Sequence, residues 1–209
     1  MSTRYGIGLA LEPAFTSRAY RARQLICGQY ASWAAEMNMV YLTVAGFFQC
    51  PDSAVASVDA GLSAVAAQSR QEAAQFALSH AGVGAGPGAA GHIFLDFALP
   101  HIPPALNKLR SSVRQLLEGT SEAAPDAGFS GASYRPHLPL MQHARLPASV
   151  FADAVEFARA VVADLQIPSN TRAWRLLLLR FQSNAAGDDW GDGRWAADLR
   201  WTLLASHPL

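Results

Sequence analysis

His137 stands in a short apolar run, Tyr-Arg-Pro-His-Leu-Pro-Leu-Met, at residues 134–141. An imidazole titrates near neutrality and can take up or release a proton, so this residue is a candidate acid or base. A histidine on an apolar strand is also a common packing residue, so its meaning depends on a partner. The other histidines, His80, His92, His101, His143 and His207, form no His-x-x-x-His pair and have no carboxylate at ligand spacing. No metal is therefore expected. The glycine-rich run at 81–91 lacks the Lys-Ser/Thr of a P-loop and the strand-to-helix setting of a dinucleotide motif. It reads as a flexible connection, and no cofactor is implied. Asp188, Asp189 and Asp192 cluster in Gly-Asp-Asp-Trp-Gly-Asp-Gly, but the ligand pattern of a calcium loop is missing, so a hairpin tip is expected. Arg135, Arg172, Arg175 and Arg180 lie near the same C-terminal strands, and any that points inward could pair with a phosphate. Trp174, Trp195 and Trp201 belong mostly to the core, with one or two rings free to stack on a base.

The elements that would position these groups follow from hydrophobic period. Residues 4–11 alternate, with Tyr5, Ile7, Leu9 and Leu11 on one face of a strand. Residues 16–33 read as a helix capped by Thr16 or Ser17. Residues 38–48 are rich in β-branched and aromatic side chains and read as a buried strand. Pro51 and Asp52 open a helix striped by Val55, Val58, Leu62 and Val65. Short strands follow within 75–82 and 92–100. A helix starts at Pro103 and Pro104, a loop spans 119–133, and the His137 run forms the next strand. Pro147 leads into another helix. Two last strands lie around 172–181 and 195–204. The order β-α-β-α-β-β-α-β-α-β-β does not alternate as a doubly wound sheet does. It predicts an α+β fold over residues 1–209, with two antiparallel-rich sheets facing each other and helices outside.

Sixteen basic residues balance sixteen acidic ones among 209. No global field draws the chain to duplex nucleic acid or to a membrane. Hydrophobic residues make up 51% of it, enough for a sizeable core. Cys27 and Cys50 are too few for a disulfide framework and read as reduced thiols. No apolar run is long enough to span a bilayer, and the N-terminal run is broken too early for a signal peptide. The expected location is the cytoplasm.

The element order and two short motifs together resemble the two-histidine phosphoesterase superfamily, the group of 2′-5′ RNA ligase-like proteins and cyclic phosphodiesterases. Its members carry two pseudo-symmetric lobes around a central cleft, each with a His-x-Thr motif on a strand. Residues 134–141 resemble the second motif at Tyr134, Pro136, His137 and Leu138. Residues 40–48, Val-Tyr-Leu-Thr-Val-Ala-Gly-Phe-Phe, resemble the first at Thr43 and in the Gly46–Phe48 ending. Two family positions differ: Tyr41 stands where the first histidine would be, and Pro139 where the second threonine would be. Gln142 stands where many members carry an arginine, with Arg145 further on.

The resemblance implies a cyclic or 2′-5′ linked nucleotide, or an RNA end, as substrate. It implies His137 and Tyr41 as the catalytic pair, and Thr43, Arg135 and Tyr134 as substrate-binding residues. On a strand, residues i and i+2 share a face, so both members of such a motif enter the cleft together. A phenol, with a pKa of about 10, is protonated at neutral pH. This suits Tyr41 as acid and His137 as base. Proline at 139 removes a hydroxyl and a backbone donor, and argues for a strand edge or a bulge. Two further readings use the same cleft. One is a nucleotide-binding module without turnover. The other is a repurposed enzyme in which Tyr41 and His137 perform non-phosphate chemistry, favoured by the apolar neighbours Val40, Leu42, Leu138, Leu140 and Met141.

Overall fold

The computed structural model describes residues 1–86, 91–98, 101–119, 124–125, 134–190 and 193–209. In chain order the elements are β1 (Ser2–Leu11), α1 (Pro13–Tyr30), β2 (Leu42–Gln49), α2 (Asp52–Ala73), β3 (Ala77–Ser79), β4 (Val83–Gly86), β5 (His92–Asp96), α3 (Pro104–Gly119), β6 (Ala124–Pro125), β7 (His137–Met141), α4 (Ala148–Asp164), β8 (Asn170–Ser183) and β9 (Arg200–Pro208). Two 3-10 turns, Gly187–Trp190 and Arg194–Ala197, lie between the last two strands.

The strands form two sheets. The larger runs β3-β8-β1-β2-β6, with β9 also on β8, and the smaller runs β4-β5-β7. Every pairing is antiparallel. The α2–α3 pair covers the larger sheet, and α1 with α4 covers the smaller. One apolar core unites them, because Ile7 and Leu9 of β1, Leu138 and Leu140 of β7, and Ala19 of α1 belong to the same buried cluster. The expected α+β class and antiparallel sheets are what the chain forms.

The local differences have local causes. Helix α1 begins at Pro13, after Glu12, and not at Thr16. A proline at the first helical position already has the required φ and lacks an N–H that would go unpaired. The Thr16 hydroxyl instead donates to the Leu11 carbonyl at 3.0 Å. Strand β2 starts only at Leu42, because residues 34–37 turn and Tyr41 lies just outside the ladder. The glycine-rich run holds a strand, β4, where a plain connection was expected. Backbone pairing to β5 needs no side chains, and Gly84 leaves room for the Phe94 ring, which a Cβ would meet at 2.7 Å. Its residues 87–90 lie outside the described part. In the expected loop at 119–133, Ala124–Pro125 pairs with the end of β2. The last strand begins at Arg200 and not at Trp195, because Arg194–Ala197 coils into a 3-10 turn that buries Trp195. Of the acidic cluster, Asp189 pairs with Arg194 at 3.2 Å, and Asp192 lies outside the described residues.

Pro139 sits where its chemistry predicts. Strand β7 is an edge strand, and its register with β5 slips between Met141 and Pro139. The missing N–H therefore breaks no regular ladder.

Candidate functional site

A cavity of about 320 Å³ lies between the two sheets, near the lower end of small-molecule sites, which span about 300–1,000 Å³. Tyr41, Thr43, Tyr134, Arg135 and His137 all line it, so the fold brings together the catalytic and binding residues that the two motifs implied, whereas the motif residues Leu138 and Phe48 are buried in the core.

One wall comes from the larger sheet. Thr43 of β2 stands opposite Gly8 of β1. The floor there is glycine. A Cβ on Gly8 would lie 2.7 Å from Tyr41 Cδ2, and one on Gly6 would lie 3.0 Å from Phe181 Cε2. These two residues let aromatic rings lie directly on the strand. Burial pushes the Tyr41 phenol well above its ordinary pKa, against the pull of the nearby Arg23 charge. Tyr41 thus stays protonated. Phe47 packs edge-on against Phe181 and Trp195, with ring centroids 5.2 and 5.3 Å apart, and all three line the cavity.

The other wall comes from β7. His137 Nδ1 lies 2.8 Å from the Arg135 carbonyl. A carbonyl can only accept, so Nδ1 carries the hydrogen and Nε2 holds the free lone pair in the neutral ring. The imidazole also rests on Phe94, 5.1 Å between centroids. Arg135 pairs with Asp96 and lies over the same Phe94 ring at 5.4 Å. Burial alone would raise the Asp96 pKa. The Arg135 bond and the Ala98 amide outweigh it and hold the carboxyl below its usual range. Arg110 reaches in from α3 and lies 4.1 Å from the centre of the Tyr134 ring. The Tyr134 hydroxyl donates to the Thr43 carbonyl at 2.9 Å and so fastens one wall to the other. Burial raises its pKa in spite of Arg110.

Beneath both walls lies Arg23 of α1, 1% exposed. Its Nε and Nη2 donate to the Pro139 carbonyl at 3.0 and 2.8 Å, and Nη1 donates to the Ala35 and Asn38 carbonyls at 2.9 and 2.8 Å. Burial lowers its pKa to about 10, and it remains charged at neutral pH.

The cavity thus offers an open imidazole nitrogen, a protonated phenol, a hydroxyl, two guanidinium groups and an aromatic corner. Among the described residues no group of three His, Cys, Asp or Glu could hold a metal ion, and no helix is long and apolar enough to cross a membrane.

Several expected contributors lie elsewhere. Arg175 bonds Ser206 at 2.6 Å, and Arg180 stands opposite Tyr5 on the core face of β1. Arg172, Trp174 and Trp201 do not line the cavity, whereas Trp195 does. Sequence reading missed Gly6, Gly8, Arg23 and Arg110. Only the alternation of Gly6 and Gly8 opposite the apolar face of β1 gave a readable sign. Arg110 sits among ordinary helix-surface cations.

No family model matches the sequence, and no curated protein matches it. Solved structures match along its length. The chain shares its fold with these structures, one of them described as a phosphoesterase, in keeping with the fold that the motif resemblance implied. E. coli LigT in its apo form is 14% identical, with a TM-score of 0.57 over 99% of this chain and 97% of its own. The same protein complexed with 3′-AMP is similar with a TM-score of 0.54 at 14% identity, over 99% of this chain and 98% of its own. The TT0787 protein of Thermus thermophilus is similar with a TM-score of 0.55 at 14% identity, over 99% of this chain and 97% of its own.

Proposed function

We propose that the cleft binds a nucleotide and hydrolyses a cyclic or 2′-5′ phosphodiester, with His137 as base and Tyr41 as acid. The observation that carries this reading is the 2.8 Å contact of His137 Nδ1 with the Arg135 carbonyl. Nδ1–H is held by the Arg135 carbonyl, which leaves Nε2 as an acceptor in a cavity shared with a protonated phenol. Water gives its proton to Nε2 as its oxygen bonds to phosphorus. The P–O bond to the ribose breaks, and Tyr41 protonates the departing oxygen. Solvent returns the proton from imidazolium to phenolate. The Thr43 hydroxyl and the guanidiniums of Arg110 and Arg135 hold the non-bridging oxygens. The aromatic corner of Phe47, Phe181 and Trp195 faces the base.

A binding module without turnover is the second reading. It is favoured by the raised Tyr41 pKa, which makes the phenol a weak acid, and by Pro139, which supplies no hydroxyl. A panel of 2′,3′-cyclic nucleotides, assayed separately for turnover and for binding, distinguishes the two. For the enzyme, Tyr41→Phe lowers turnover by ~10²–10⁴-fold with little change in binding, and His137→Ala abolishes it. Tyr41→His rebuilds an imidazole pair and restores or raises turnover. Full turnover in Tyr41→Phe removes Tyr41 from the mechanism, and binding with no turnover by the unaltered protein leaves the second reading.

A further inference from the structure

Behind the cleft lies a second hollow of about 340 Å³. The two are back to back. Met37, His143 and Arg194 line this groove, while their chain neighbours Asn38, Gln142 and Trp195 line the cleft. Three separate segments thus share one thin wall. At its centre the His143 and Trp195 rings meet edge-on, 5.1 Å apart. The His143 ring lies on Gly193, where a Cβ would come within 2.1 Å of it.

Trp33 lines the groove and is 53% exposed. Arg145 and Arg194 also line it, and among the described residues no Asp or Glu does. Arg194 shares its charge with Asp189, whereas Arg145 makes no ion pair with any described residue. Finally, the turn after β7 is strained. His143 and Arg145 both adopt left-handed backbone, with φ of 49° and 48°. Non-glycine residues are uncommon there, and such strain gathers at functional surfaces.

An exposed indole and a guanidinium with no ion pair among the described residues, lining one groove, suit one nucleotide of a single strand. The ring stacks on the base and the guanidinium meets the phosphate. An acidic peptide would satisfy the arginine but leave the indole face without a flat partner. We propose that the groove is a subsite for a flanking nucleotide of a single-stranded nucleic acid whose reacting phosphodiester occupies the cleft. This rests on the nucleotide reading of the cleft and extends it from a mononucleotide to a strand.

The test compares 3′-AMP with a fluorescein-labelled hexa-adenylate by titration. The hexanucleotide binds about tenfold more tightly or better. Trp33→Ala and Arg145→Ala each lower its affinity about fivefold or more and leave 3′-AMP binding within about twofold. Trp33→Phe keeps most of the affinity, and Arg145→Ala reduces the salt slope by about 0.7. Thermal melts confirm that the variants fold. If 3′-AMP binds but the hexanucleotide gains nothing, or gains it without dependence on Trp33 and Arg145, the subsite is refuted while the cleft reading stands. If neither probe binds, the cleft reading fails and the subsite falls with it. Competition by a poly-glutamate peptide matched in charge to the hexanucleotide assigns the groove to acidic chains and overturns the proposal.

Discussion

Replacing Arg23 by methionine keeps an unbranched stem in place but removes every donor beneath the cleft. Three carbonyls lose an Arg23 bond; that of Ala35 still accepts the Asn38 N–H at 3.2 Å, so those of Pro139 and Asn38 lose their side-chain donor outright. A buried acceptor left unpaired costs about 1–3 kcal/mol. The lower figure applies here, because loss of a desolvated cation returns part of the penalty and water can reach a carbonyl near the cavity rim. Two such groups give about 2 kcal/mol. For a chain of this length that lowers Tm by about 4–8 °C. Arg23→Lys retains the charge but cannot fork onto Pro139 while also bridging Ala35 and Asn38, so about half the loss remains. Urea unfolding followed by tryptophan fluorescence measures both variants. The cleft should loosen as well, since Asn38 leads towards Tyr41 and Pro139 follows His137 by two residues, and weaker 3′-AMP binding reports it. A loss below about 1 kcal/mol for Arg23→Met would show that the Pro139 and Asn38 carbonyls re-pair freely and that the guanidinium is no keystone.

Gly8→Ala places a Cβ 2.7 Å from Tyr41 Cδ2. The ring must move, at a cost of about 1–3 kcal/mol, and ligand affinity falls with it; unchanged melting and binding would mean that the Tyr41 position is not fixed by the glycine floor. Burial lowers the pKa of His80 and His92, and lowers that of His143 to about 4, with neighbouring positive charges adding to the effect at His92 and His143. The unfolded chain therefore binds more protons than the folded one below about pH 6.5, so stability is full above that value and drains as pH falls towards 4. Tm measured from about pH 7.5 to 4.5 should drop, and His143→Gln should shallow the drop; a flat profile contradicts the burial of these rings.

The parts of the site that were legible in the sequence are those carried by period and motif. His137, Thr43 and Tyr41 could be placed because a strand sends alternate residues to one face, and Pro139 because its missing N–H admits only an edge or a bulge. Strand β4 was illegible, since Val-Gly-Ala-Gly has no apolar alternation and pairs through backbone alone. The start of α1 was misread because serine and threonine caps compete with a proline that needs no cap. Arg23 could not be found at all. Its neighbours Ala22 and Ile26 are buried beside it, yet an arginine at helical spacing looks like any solvated cation. Its partners come only from tertiary structure, the turn at Ala35 and Asn38 and the approach of Pro139, 116 residues away.

The placement of β1 also sets the timing of assembly. Residues 2–11 lie in the middle of the larger sheet, and one of their two neighbours, β8, is not made until residues 170–183. Pairings this distant in sequence carry a high loop-closure cost and slow the search for the native topology. Until β8 arrives, one edge of β1 is open, and the glycine floor that supports Tyr41 has β2 alone beside it. The cleft is thus among the last parts of the molecule to form, and a nascent chain stopped before Asn170 exposes an unpaired, apolar strand to its neighbours.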